Sequence, residues 1–261
     1  MKGRWGIASA AGLCLLMLAG CAKQQERVGL MLFCGAGLRD AVEELIDTFE
    51  TREAVTVQTT FDGSGKLLAQ VTALKRGDLF MPGEPFYVQK ATEQGLIAEA
   101  TVDSVCYLIP VIFVRKDNPA GVKALADLAR PGVRVGLGDE RSCAVGKATI
   151  DLLQRARVDL KRVERNVSVR TATVPELATA VQLSLVDAAV IWQATARQFR
   201  DKGDIVWIPS EVSGAVPVPV AVMKSSTHRA EAERFIEFLK SQPARDIFVR
   251  HGYDVERPSV M

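Results

Sequence analysis

The sequence contains only two histidines, His228 and His251, so its composition excludes a metal site built from several imidazoles. It also lacks a strong charge imbalance: 33 Lys and Arg stand against 31 Asp and Glu. With no basic block present, this balance argues against nucleic-acid binding through a basic patch. Aromatic residues make up only 6% of the chain, yet 48% is hydrophobic, so enough surface can be buried to exclude a disordered chain. The 261 residues allow one large domain or two smaller ones.

The N-terminus has the features of a secretory signal. After a basic start, residues 7–18 are apolar or small throughout but too few to span a bilayer comfortably. The following Leu18-Ala19-Gly20-Cys21 resembles the lipobox of bacterial lipoproteins, in which the cysteine becomes the acylated first residue. We therefore expect residues 1–21 to be a lipoprotein signal peptide with lipidation at Cys21. The polar residues 22–27 are expected to tether the folded body to the lipid.

Removal of this signal changes the charge of the chain. It takes away Lys2 and Arg4, so 31 basic residues remain against 31 acidic ones and the mature chain is formally neutral. The expected location is outside the cytoplasm, on the periplasmic or cell-surface face, with the protein anchored in the membrane through Cys21.

Besides Cys21, the mature chain keeps three cysteines: Cys34, Cys106 and Cys143. This number allows at most one disulfide. Cys106 lies in an apolar run and is expected in the core. A bridge between Cys34 and Cys143 stays open, because the sequence does not place their Cα atoms.

Short apolar runs alternate with segments of helical period along the rest of the chain. Residues 28–33 predict a buried strand and residues 38–50 the helix that follows it, and residues 55–61 and 66–74 repeat this pair. The alternation resumes after Asn118-Pro119. Strands and helices of these lengths predict an α/β fold with mostly parallel sheets flanked by helices.

Prolines qualify two of the predicted strands. Residues 105–114 predict one long apolar strand interrupted by Pro110. Residues 216–222 predict an extended segment that contains Pro217 and Pro219. Because proline has no N–H for the ladder, these two prolines argue against a central strand there.

Four loops that follow predicted strands have features suited to an anion. Gly35-Ala36-Gly37 and Gly63-Ser64-Gly65 let the backbone come close to a ligand, and Ser64 adds a hydroxyl donor. The loops at Cys143–Gly146 and at Val174 have small or apolar side chains, so their polar contacts would come from main-chain N–H groups. Helix N-termini at the carboxyl ends of strands aim such groups outward. Together the loops indicate a bound anion, although none matches a dinucleotide or P-loop fingerprint.

A resemblance to a known family rests on six segments in chain order: CGAGLRDAVEELIDTFE, VTVQTTFDGSGKLLAQV, GDLFMPGEPFYVQKATEQGLI, VGLGDERSCAVGKATIDLL, TVPELATAVQLSLVDAAVIW and KSQPARDIFVRHGYD. They resemble the periplasmic molybdate-binding proteins of ABC transporters, a family of type II solute-binding proteins, over essentially the whole mature chain. The resemblance implies two α/β lobes that close on a ligand, joined by crossover strands near residues 107–111 and 216–220. The first lobe would comprise residues 28–107 and 217–261, and the second residues 108–216.

The resemblance also implies which residues bind the ligand, an oxyanion of molybdenum or tungsten: Gly37, Ser64, Val145, Val174 and Trp192. The family has serine at position 37 and tyrosine at position 192, so here Gly37 would offer only its backbone and Trp192 only an indole N–H. Asp62, Lys66 and the MPGEP segment at residues 81–85 also depart from the family pattern. These departures keep the oxyanion class but leave open another tetrahedral oxyanion, or a small phosphorylated or carboxylated metabolite.

We therefore expect a receptor without cofactor or catalysis: a monomeric substrate-binding lipoprotein that delivers its solute to the membrane permease of an ABC importer. Ligand would stabilise the closed lobes, because only the closed state supplies contacts from both sides. The rival is an exported enzyme that uses Cys143 at a helix N-terminus. Neither histidine lies in a segment that clearly reaches the cleft. A sensing role would share the same site, and the sequence does not distinguish it from transport.

Overall fold

The computed structural model describes residues 28–258, which form two five-stranded sheets with helices packed against each. The elements around the first sheet are β1 (Val28–Gly35), α1 (Arg39–Glu50), β2 (Val55–Asp62), α2 (Ser64–Leu74), β3 (Leu79–Met81), α3 (Pro85–Glu93), β4 (Asp103–Leu108), β10 (Val216–Val222), α9 (Arg229–Lys240) and α10 (Gln242–Arg250). We call this group the first lobe.

The second lobe is built from one continuous stretch of chain. Its elements are β5 (Pro110–Arg115), β6 (Val135–Gly138), α4 (Ala144–Arg155), α5 (Leu160–Arg165), β7 (Val167–Thr171), α6 (Val174–Gln182), β8 (Ala188–Trp192), α7 (Gln193–Gln198) and β9 (Gly203–Val206). A single-turn helix, α8 (Ser210–Ser213), lies on the return to the first lobe.

Both sheets have the same plan. The strand order is β2-β1-β3-β10-β4 in the first and β7-β6-β8-β5-β9 in the second. The first three strands of each order pair in parallel, and the fourth runs antiparallel to both of its neighbours. Each sheet is therefore mixed, with all strands but one in the same direction. The predicted two-lobed α/β fold with helix-flanked sheets is confirmed.

The chain crosses between the sheets twice. β4 ends at Leu108 in the first sheet and β5 begins at Pro110 in the second, so only Ile109 separates them. The apolar run at residues 105–114 is thus two strands of two sheets, and the prediction of one strand is wrong. The return crossing lies between β9 and β10, at residues 207–215.

β10 occupies an internal position in its sheet, which corrects the expectation drawn from its prolines. Pro217 and Pro219 lie in the part of β10 that pairs with β4, and the register shifts between Val218 and Pro219. Pairing with the three-residue β3 involves only Ala221 and Val222. The prolines therefore lie where β10 has one neighbour and an irregular register, so their missing N–H groups cost few ladder bonds.

The helices pack on the sheets through the apolar stripes that predicted them. In α1, the buried residues recur at helical spacing: Ala41, Val42, Leu45, Ile46 and Phe49. No helix within residues 28–258 has the length and apolarity needed to cross a membrane. The predicted signal peptide, tether and lipidation at Cys21 fall outside the described residues.

Candidate functional site

A small cavity lies between the two lobes, at the carboxyl ends of strands from both sheets. All the predicted ligand-binding residues line it: Gly37, Ser64, Val145, Val174 and Trp192. The cavity has a volume of about 20 Å³. A single water needs about 10–15 Å³. The cavity therefore suits one compact ligand of a few atoms.

The first lobe contributes a hydroxyl that is held by a backbone donor. Ser64, the first residue of α2, is 2% exposed, and its Oγ accepts a hydrogen bond of 3.0 Å from the N–H of Gly83. Since this bond uses only an oxygen lone pair, the hydroxyl hydrogen remains available to donate into the cavity. The Gly83–Ser64 bond also joins the segment after β3 to the start of α2.

Gly37 leaves no room for the serine that the resemblance places there. A Cβ at position 37 would stand 2.6 Å from Val174 Cγ1 and 3.4 Å from Trp192 Cδ1, two side chains of the second lobe. The first distance is shorter than a normal carbon–carbon contact, so even alanine requires movement. The backbone of Gly37 is held from behind, because its carbonyl accepts a hydrogen bond from the buried hydroxyl of Tyr253.

The second lobe contributes two helix N-termini. Val145 is the second residue of α4 and Val174 the first residue of α6, so the N–H of each lies in a first turn and has no intrahelical acceptor. Pro175 removes one donor from the start of α6. Glu176 accepts the N–H groups of Ala172 and Thr173, each at 3.0 Å, which ties its carboxylate to its own loop.

Trp192 ends β8 and is 2% exposed. Its Cδ1 faces Gly37 across the cleft, and this atom is bonded to the indole nitrogen. The indole nitrogen is therefore one bond away from the ring atom that faces Gly37. An indole nitrogen can only donate, which suits a ligand that carries acceptors.

Charged side chains contribute little to the cavity. Among the described residues that line it, none is Lys, Arg or His, and Asp62 is the one carboxylate. Asp62 Oδ1 accepts the N–H of Gly63 at 2.7 Å and lies 3.6 Å from Lys66 Nζ. Lys66 does not line the cavity, and its side chain is half exposed. Any anion here would be held by neutral donors and helix ends.

Glycines allow the lobes to touch beside the cavity. The N–H of Gly65 donates to the carbonyl of Ser142 at 2.9 Å, from the first lobe to the second. A Cβ at Gly65 would overlap the carbonyl oxygen of Arg141, and one at Gly63 that of Ala172. The structure is thus a closed form, and it requires glycine at positions 63 and 65.

Burial raises the thiol pKa of each of the three cysteines that the structure describes. Cys34, Cys106 and Cys143 are buried and free, so the described residues contain no bridge between Cys34 and Cys143. Burial raises the pKa of the Cys143 thiol to about 12, although the backbone N–H groups of Gly146 and Val145 oppose the shift. The lowered thiol pKa that the enzyme hypothesis requires is therefore not found. His251 bonds to Glu44 on α1, outside the cavity lining.

Comparison with known proteins supplies the family. A model of the bacterial extracellular solute-binding proteins matches residues 30–254. The chain belongs to this family. A putative binding protein of Haemophilus influenzae is 30% identical, over 87% of this chain and 91% of its own length. A molybdate-binding protein of Mycobacterium tuberculosis is 25% identical, over 86% of this chain and 84% of its own length.

Two solved structures show the same fold. The periplasmic molybdate-binding protein of Azotobacter vinelandii aligns with a TM-score of 0.75 at 18% identity, over 87% of this chain and all of that one. A sulfate-binding protein of Mycobacterium tuberculosis aligns with a TM-score of 0.78 at 19% identity, over 89% of this chain and 88% of that one. This solute-binding protein thus shares its fold with receptors of different oxyanions.

Sequence reasoning missed two residues that shape the cavity. Tyr253 bonds to Gly37 across 216 positions of sequence, and no local pattern marks it. Gly83 lies in the MPGEP segment, whose departure from the family pattern does not by itself predict a bond to Ser64. The sequence does indicate the nearby loops, because close approach of the backbone favours glycine and the glycines are visible in the sequence.

Proposed function

We propose that this solute-binding protein is the substrate-binding lipoprotein of an ABC importer and captures a tetrahedral oxyanion, molybdate or tungstate, between its lobes. The observation that carries the proposal is the small cavity between the lobes, of a few atoms' volume and lined by residues of both lobes that offer backbone and hydroxyl donors. A molybdate-binding relative and a molybdate-binding structural neighbour support this choice of ligand. Because a sulfate-binding protein shares the fold, we expect ligand size, and not the fold, to decide among oxyanions.

In this proposal the ligand is held entirely by neutral donors. Gly37, Val145 and Val174 offer backbone N–H groups, Ser64 its hydroxyl and Trp192 its indole N–H. A hydrogen bond to a charged partner contributes about 1.5–3 kcal/mol. Together these hydrogen bonds compensate for the free energy of hydration that the anion loses, provided that both lobes contact the anion. Closure then follows from ligand binding.

The organisation of the chain is part of the same proposal. We assign residues 28–107 and 217–261 to the first lobe and residues 108–216 to the second. The strands support these bounds to within one residue, since Leu108 ends β4 and Val216 begins β10, both of the first sheet. Cys21 would carry the lipid and residues 22–27 the tether. The closed monomer would dock on permease subunits at the face of the membrane opposite the cytoplasm.

Calorimetric titration of the mature protein with molybdate, tungstate, sulfate and phosphate tests the proposal. We expect one site with preference for molybdate or tungstate, because sulfate is smaller and would leave donors unpaired. No heat and no thermal shift with any of the four anions would refute oxyanion capture. Preference for sulfate or phosphate would support an oxyanion receptor but contradict molybdate or tungstate as its ligand.

The role of Ser64 is tested in the same assay. Ser64→Ala removes a ligand donor and leaves the Gly83 N–H without its acceptor. We expect a loss of about 1–3 kcal/mol, or roughly 5–150-fold in Kd. Ser168→Ala, at an exposed position on β7, is the matched control and should bind as the wild type does. Equal affinities in the two variants would remove Ser64 from the site.

A further inference from the structure

Glu84 is a buried carboxyl group that takes no part in the proposed ligand contacts. It directly follows Gly83, which lines the cavity, and it precedes the first residue of α3. The residue is 6% exposed, and its Oε1 has no hydrogen-bond partner among the described residues. Burial without a hydrogen-bond partner raises the free energy of an ionised carboxylate. The neutral, protonated form of Glu84 is therefore favoured.

The second lobe lies close to the residues on both sides of Glu84. A Cβ at Gly83 would lie 3.1 Å from Ala144 Cβ, the first residue of α4. Lys147, one turn along α4, places its Nζ 5.3 Å from the centre of the Phe86 ring on α3. The start of α3 and the start of α4 thus face each other across the cleft, so we expect opening of the lobes to expose Glu84 to water.

The charged groups around Glu84 do not neutralise it. Lys147 faces it from α4, but Lys147 Nζ is already 2.9 Å from Asp151 Oδ2, and Asp151 itself acts on Glu84 with the same sign of charge. From the remaining sides the titratable neighbours are Tyr87 on α3 and Cys143 before α4, with Asp139 beside Tyr87. The hydroxyl of Tyr87 is likewise buried, with no hydrogen-bond partner in the part of the chain that the structure describes.

The balance of these effects shifts the titration of Glu84 into the neutral range. Burial raises the pKa of its carboxyl from the ordinary 4.5 to about 7, with Lys147 opposing the shift and Asp151 adding to it. In open lobes the same carboxyl would face water and keep a pKa near its ordinary value. Between these two values, the closed form holds a proton that the open form does not.

We propose that Glu84 binds a proton when the lobes close, so that capture of the anion is coupled to uptake of one proton. The proposal rests on oxyanion capture by lobe closure as its starting point. The sign follows from the raised carboxyl pKa: the proton stabilises the closed form fully below about pH 4.5. This stabilisation is lost as the pH rises to about 7, and affinity is level above that value.

Calorimetric titration with molybdate at pH 5.5, 6.5 and 7.5, in buffers of different ionisation enthalpy, counts the protons taken up. For the wild type we expect uptake approaching one proton at pH 5.5 and 6.5. Across the same pH range the Kd should rise by up to about tenfold per pH unit. Glu84→Gln should show neither proton uptake nor the rise in Kd. Because protonation of the ligand itself would be the same in both proteins, the difference between them reports Glu84 alone. Glu93→Gln, an exposed position at the other end of α3, is the matched control and should behave as the wild type does.

Three results separate the outcomes. Wild-type binding with no uptake and the same Kd at all three pH values would overturn proton coupling while leaving anion capture intact, and so would unchanged uptake in Glu84→Gln. No binding at any pH would refute anion capture itself. If Glu84→Gln does not fold, Lys147→Gln replaces it. Removal of this cation should raise the pH at which uptake ends, and an unchanged pH profile would count against the proposal.

Discussion

The two lobes have the same strand order and directions, yet they contribute differently to the cavity between them. The first lobe presents glycine loops and the Ser64 hydroxyl, and it relies on Tyr253 and Gly83 to hold them. The second lobe presents helix N-termini and larger side chains. The glycine loops of the first lobe leave space, and side chains of the second lobe fill it. The shape of the cavity therefore depends on both lobes.

The contact of Gly37 with Val174 and Trp192 is the plainest case of this division. The side chain missing from the first lobe is replaced by apolar and aromatic groups from the second. A departure from the family pattern at position 37 is therefore matched by the residues that face it. The difference between the lobes teaches that substitutions in the cleft have to be interpreted in pairs.

Gly65→Ala should have the largest effect, because it breaks the contact between the lobes. Its Cβ would overlap the carbonyl oxygen of Arg141 and displace the bond from Gly65 to Ser142. We expect at least about a 100-fold loss of affinity, or about 2.8 kcal/mol. The unliganded fold should persist, since alanine is a better helix former.

The control for this variant is Gly29→Ala, whose Cβ would lie 3.8 Å from its nearest neighbour, Thr56 Oγ1. Calorimetry should give wild-type affinity for Gly29→Ala. If Gly65→Ala also bound as tightly as the wild type, the closed contact would have no part in capture.

Trp192→Phe tests the contribution of the second lobe. The ring is kept but the indole N–H is lost, and a bond to a charged ligand is worth about 1.5–3 kcal/mol. The Kd should rise by roughly 10–150-fold in titrations with molybdate. Trp207→Phe, at a position 57% exposed, should leave the Kd unchanged. Equal Kd values for both variants would mean that Trp192 only shapes the wall.

Gly37→Ser sharpens the comparison, because it restores the residue that the family resemblance places in the first lobe. The new side chain would collide with Val174, so we expect binding weaker by about 1–3 kcal/mol. Val174→Ala opens the space, and the double variant should recover part of the loss. Measured Kd values for the four proteins give the coupling energy, and strictly additive effects would contradict direct packing.

Local patterns predicted much of the fold and the four loops of the site. The apolar period of α1 and the glycines at positions 35, 37, 63 and 65 are short-range signals, and each marks an element or loop that the structure contains. The run at residues 105–114 was misread because a change of sheet at Ile109 leaves no trace in hydropathy. The prolines of β10 were misread because the length of β3 decides how many neighbours β10 has.

By itself the sequence determined the class of protein: an α/β chain with strand–loop–helix units and glycine loops suited to an anion. These features depend on the periodicity and conformational freedom of neighbouring residues. Only the tertiary structure decided that Val174 and Trp192 occupy the space at Gly37, that Tyr253 supports this loop, and that Glu84 is buried. The physical reason is that packing, cover from solvent and pKa depend on groups brought together from distant parts of the chain.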